Sequence, residues 1–142
     1  DTLAWAMKNP SSPEIVSPAE APVFDCMQDE VNLHNIAIPH HWPQDRGRYM
    51  SASVIIAEVN GQRNMSFHRQ FLRDENHLVV RLVPRHLRTM VDRARENGQE
   101  VDIAIVNAPD PVVLLAGAMA FDDRVMVAGL VEVPSTSNSP ST

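Results

Sequence analysis

Two hydrophobic rhythms run along the chain. SVIIAEV, from Ser53 to Val59, is rich in β-branched residues, and Asn60-Gly61 then supplies the two left-handed backbone positions of a type I′ turn. A hairpin is predicted, with strands near 53–59 and 63–69. Period two puts Met65, Phe67 and Arg69 on one face of the returning strand and Asn64, Ser66 and His68 on the other. An acidic turn around Asp74, Glu75 and Asn76 leads to HLVVRLV, a strand near 77–83. There the period changes. Leu87, Met90, Val91 and Ala94 recur at helical spacing, with Arg88, Asp92, Arg95 and Glu96 facing outward. The helix opens at Pro84-Arg85-His86, where proline suits a first turn, and Gly98 supplies its left-handed cap. VDIAIVN gives a strand near 101–106. Asp110-Pro111 then reads as N-cap and first helical residue of a short buried helix, VVLLAGAMA, and VMVAGLVEV as a last strand near 125–132.

The flanks carry less pattern. Pro10, Pro13, Pro18 and Pro22 break residues 1–23 into an extended lead-in with little regular structure, and PSTSNSPST, 134–142, reads as a disordered tail. Residues 24–133 between them form one domain. The expected fold class is mainly β with two or three short helices (α+β), arranged as a small barrel or split barrel. His40, His41 and Trp42 sit in a proline-punctuated loop; adjacent histidines can bind a metal, but need not face one point.

With 142 residues there is room for about one domain and its core. No apolar run reaches the roughly 20 residues of a membrane helix, so no membrane association is expected. A net charge of −6, with arginines interleaved among acids, argues against coating nucleic acid. Arg greatly outnumbers Lys, which suits planar recognition of phosphate or carboxylate. Cys26 is alone, which excludes an internal disulfide and fits a reducing, cytoplasmic setting. The chain opens on Asp1 without a signal-peptide pattern, as a processed protein or a piece of a longer one would.

Three residues carry candidate chemistry. If the strands around Asn64 and Val80 pair as a hairpin, Asn64, Arg69 and His86 converge near one sheet end. An amide, a guanidinium and an imidazole make a poor core but a good anion or metal pocket. Because Asn64 and Arg69 leave a regular strand on opposite faces, the strand must bulge or end between them, or the site must wrap around its end. His86 lies in a first helical turn, where unpaired amides hold phosphate, and Ala116, Gly117 and Ala118 let a backbone or flat ring approach.

The ordered words NPSSPEIV, NLHNIAIPHHWPQDRGRYM, RNMSFHRQ, VPRHL, NAPDPVVLLAGAMA and VAGLVE resemble the UbiD-like decarboxylases, which use prenylated flavin mononucleotide. The resemblance runs from about Asn9 to Glu132 and concerns the family's flavin-binding domain, a split barrel like that of flavin reductases. It implies Asn64 and His86 as ligands of a manganese or magnesium ion bridging to the flavin phosphate, with Asp122 or, by preference, Asp123 as the carboxylate. It implies potassium held by carbonyls near Met65, Ala116, Gly117 and Met119, and cofactor contacts from Asn64, Met65, Ser66, His86, Gly117, Ala118 and Met119. Many relatives carry serines at Gly117 and Ala118, so phosphate binding there would rest on backbone amides. Arg69 corresponds to the family's active-site arginine, beside the reactive edge of the flavin.

The same resemblance implies an unsaturated or aromatic carboxylic acid as substrate, and protonation by glutamates of a following α/β domain. This chain ends before any such domain, so it is expected to be a fragment or split subunit, inactive alone, of an enzyme that forms a homo-oligomer. Two other readings stay open: an assembly or scaffold domain that has lost the cofactor, and a flavin-reductase-like redox protein.

Overall fold

A computed structural model of the chain describes residues 14–118 together with Trp5, Lys8 and Asn9. The predicted strand at 125–132, the tail at 134–142 and Met119, Asp122 and Asp123 lie outside the described residues. The described residues group into two units, one up to residue 28 and one from residue 29 onward.

In the first unit, the expected extended lead-in holds two 3-10 turns, Pro18–Glu20 and Pro22–Phe24. Ser17 and Glu20 close a capping box: the Glu20 carboxylate accepts from the Ser17 amide at 3.1 Å and the Ser17 hydroxyl at 2.7 Å. These two bonds hold its pKa below the usual 4.5.

The second unit is mostly β. Its described residues form β1 (Tyr49–Met50), β2 (Ser53–Val59), β3 (Gln62–Phe67), β4 (Gln70–Leu72), β5 (Leu78–Val80), α1 (His86–Glu96), β6 (Ile103–Asn107) and α2 (Pro111–Ala118). Two antiparallel sheets result, ordered β1-β4-β5 and β3-β2-β6. The β2–β3 hairpin turns through Asn60 and Gly61 at φ 53° and 75°, the positive pair that the sequence demanded. Across it, Arg63 reaches Glu58 at 2.8 Å.

The central strand β2 is covered on both faces. Ile55 and Ala57 pack with Leu87 and Met90 of α1, and Val80, Leu82 and Val101 close around them. On the opposite face, Val54 meets Gly117 of α2. A second cluster gathers Ile38, Met50 and Leu72, and Ile105 touches both clusters. The stripe read from the sequence is thus the α1 core face, and Gly98, at φ 68°, follows the helix as its cap.

The structure also corrects the sequence reading. The strand predicted at 63–69 is two strands: β3 stops at Phe67, and after His68 and Arg69 the chain enters β4, in the other sheet. Accordingly β3 pairs with β2, and it is β4 that forms the hairpin with β5. β5 is shorter than 77–83, β6 begins later than 101, and Pro84 lies in the turn before α1. The short strand β1 was not foreseen. Asp110 caps α2 by accepting from the Val112 amide at 2.8 Å, but this helix is not buried: Val112 and Leu115 are 67% and 45% exposed.

At the β4–β5 turn, the Asp74 carboxylate accepts from the Asn76 amide at 3.0 Å and contacts His77 Nδ1 at 2.7 Å. The Asn76 bond first and the His77 contact second hold its pKa below the usual 3.8. A carboxyl depressed on folding contributes stability above its unfolded pKa and loses it as pH falls through the folded value. An NMR titration should therefore place the Asp74 midpoint below 3.8, with turn resonances of Asn76 and His77 following it.

Candidate functional site

Strand register sorts the candidate residues onto faces. Asn64 is paired with Ala57, and Ser66 with Ile55, so both side chains lie on the face that α1 covers. His86 is the first residue of α1 and is exposed. Asn64, Ser66 and His86 therefore share one side of the β3-β2-β6 sheet. Asn64 is half-buried and donates from Nδ2 to Ser66 Oγ at 3.4 Å. The Asn64 carbonyl oxygen is an acceptor, the kind of atom that can ligate a hard cation.

Met65 is paired with Ile56 and Phe67 with Val54, which puts them on the other face. Met65 is buried there, Gly117 approaches Val54 and Phe67, and Ala118, exposed, ends α2. The candidates are thus split between the two faces of the sheet. β3 is an edge strand among the described residues, and alternate backbone groups of an antiparallel edge point away from the sheet.

Arg69 is exposed and occupies the break between β3 and β4. Of the conditions for Asn64 and Arg69 to serve one site, the strand's ending is the one realised. The break has an internal support that sequence reasoning missed. Gln70, 1% exposed, accepts from the hydroxyl of equally buried Ser53 at 2.5 Å and donates from Nε2 to the His68 carbonyl. The only signal in the sequence was a glutamine just inside an apolar strand. The loop histidines, in contrast, are separately engaged: His40 Nε2 with the Asp45 carbonyl at 3.2 Å and His41 Nε2 with the Ser51 hydroxyl at 3.1 Å. No group of three His, Cys, Asp or Glu among the described residues could hold a metal.

Gly117 explains why a serine cannot be added there freely. A Cβ at this position would lie 2.9 Å from Val54 Cγ1, inside contact distance. Gly117→Ser is expected to destabilise the fold by about 1–3 kcal/mol through overpacking. Urea denaturation would read this as a lower midpoint at unchanged slope.

The fold defines a small, mainly β domain with helices on both faces of its central strand and polar candidates at one edge. Residues 14–133 match the family described as the 3-octaprenyl-4-hydroxybenzoate carboxy-lyase Rift-related domain, UbiD, and the chain belongs to that family. It is 40% identical over 90 residues to the anhydromevalonate phosphate decarboxylase of Archaeoglobus fulgidus, covering 63% of this chain and 21% of that protein. Its fold matches the UbiD-class enzyme HmfF of Pelotomaculum thermopropionicum in complex with FMN, with a TM-score of 0.79 and 34% identity, over 87% of this chain and 28% of the other. An evolved dimeric form of HmfF in complex with prFMN matches with a TM-score of 0.74 and 35% identity, over 81% and 28% of the two chains. The chain thus spans between a fifth and a third of these relatives. No helix among the described residues is long and apolar enough to cross a membrane.

Proposed function

We propose that the chain is the cofactor- and metal-binding domain of a UbiD-class decarboxylase for an unsaturated or aromatic carboxylic acid. The observation that carries this reading is the β2–β3 register, which gives Asn64 and Ser66 the sheet face whose helix begins at His86. Relatives of this fold at 34% and 35% identity, in complex with FMN and prFMN, support the choice of ligand.

The donor chemistry fits a hard divalent cation. Asn64 contributes an amide oxygen and His86 an imidazole nitrogen, a set suited to manganese or magnesium once a carboxylate joins them. Asp123 is the proposed third ligand, and the metal would neutralise the flavin phosphate. Carbonyls of Met65, Ala116, Gly117 and Met119 would hold potassium. When bound, prenylated flavin supplies the electron sink for loss of carbon dioxide. Arg69 is proposed to hold the substrate carboxylate by charge-assisted hydrogen bonds. Its exposure at a strand end leaves the guanidinium free to approach a ligand at the β3 edge. The domain limits proposed are 24–133, within a split barrel, and the complete enzyme is cytoplasmic and homo-oligomeric.

Proton delivery needs the α/β domain or partner subunit that carries the acid glutamates. The purified 142-residue chain should therefore acquire the absorbance of bound flavin on reconstitution with prenylated FMN and Mn2+, yet release no carbon dioxide from substituted cinnamic or hydroxybenzoic acids. Absence of flavin uptake would refute the cofactor role and favour the scaffold reading, which the lack of serine hydroxyls at Gly117 and Ala118 supports. Decarboxylation by the chain alone would refute its incompleteness.

A further inference from the structure

We infer that Ser53 and Gln70 are positioning residues that fix the direction in which Arg69 leaves the sheet; the importance of that direction rests on the function proposed above. Ser53 and Gln70 are the buried polar side chains of the described residues, each 1% exposed, and they bond to each other. No buried side-chain polar atom among those residues lacks a partner. Such a pair is costly to bury and uniquely oriented once satisfied. Their places in the fold give the pair its consequence. Ser53 opens β2 in one sheet, Gln70 opens β4 in the other, and between β3 and β4 the backbone is in neither.

The third bond decides what is held. Gln70 Nε2 donates to the His68 carbonyl, and that carbonyl lies in the same rigid peptide plane as the Arg69 amide nitrogen. Fixing the plane fixes one side of the Arg69 Cα, and β4 pairing, which begins at Gln70 with Val80 and Met50, fixes the other. An exposed arginine with both flanks pinned has its Cα direction set, whatever its guanidinium does in solvent. An apolar residue at 70 would pack as well but leave the His68 carbonyl unheld.

The test compares Gln70→Leu with the double variant Ser53→Ala/Gln70→Leu. The single change leaves the Ser53 hydroxyl buried without a partner, whereas replacing both partners by apolar groups is often nearly neutral. The double variant should regain most of the stability lost by the single one in urea. Order at Arg69 should not return: its backbone amide order parameter, about 0.85 in a rigid wild-type chain, should fall below about 0.6 in both variants. Benzoate titrated onto the FMN- and Mn2+-loaded chain, read at the Arg69 Nε resonance, should bind about fivefold more weakly in both, the effect of one lost hydrogen bond. FMN retention should stay within about twofold of wild type, because Asn64 and His86 are untouched. A double variant with Arg69 as ordered as in wild type overturns the inference, as does unchanged benzoate affinity. If the wild-type chain takes up no FMN, the cofactor reading fails, and the order parameters of the apo chain decide the Ser53–Gln70 clamp separately.

Discussion

Alanine at Asn64 or at His86 is expected to abolish the Mn2+-dependent part of flavin retention while leaving the fold near wild type. Loss of even an outer partner of a metal ligand typically costs 10–100-fold in affinity, and loss of a direct ligand should cost no less. The fold should tolerate both changes because neither side chain belongs to the two apolar clusters: Asn64 is half-buried on β3 and His86 is exposed at a helix start. Flavin fluorescence titrated with and without Mn2+, beside a thermal melt, separates binding from folding. His40→Ala is the control, since that ring contacts the Asp45 carbonyl in a loop. Full retention by either Asn64→Ala or His86→Ala would remove the site assignment.

Ile55→Ala should produce the largest loss of stability. Ile55 is 1% exposed at the centre of β2, where it packs with Ala57, Leu87 and Met90. Deleting a buried isoleucine to alanine costs about 2–5 kcal/mol, the transfer term plus the cavity left behind. The loss would include docking of α1, the element that begins with His86, so flavin retention should fall with it. Val112→Ala on the exposed face of α2 should change stability by no more than about 0.5 kcal/mol. Urea midpoints that rank the two variants the other way would show that the α1 face is not the main core.

Much of the molecule was legible in local chemistry. The Asn60-Gly61 turn, the α1 stripe with its Gly98 cap, and the Asp110-Pro111 start of α2 each depend on neighbours a few residues away. The family was legible too, in ordered words, and the match over 14–133 bears it out. The exposure of α2 was not, since VVLLAGA reads as apolar whichever of its sides meets the sheet.

The sequence by itself determined the kinds of elements, their caps and turns, and the identity of the candidate side chains, because these follow from propensity and periodicity within a few residues. Only the tertiary structure decided that Phe67 ends one sheet and Gln70 begins another. The run of polar residues His68-Arg69-Gln70 interrupts the alternation but does not say what holds the break, and the contact stabilising it comes from Ser53, 17 positions away along the chain. A bond between residues so distant leaves no local pattern, yet it determines where Arg69 stands.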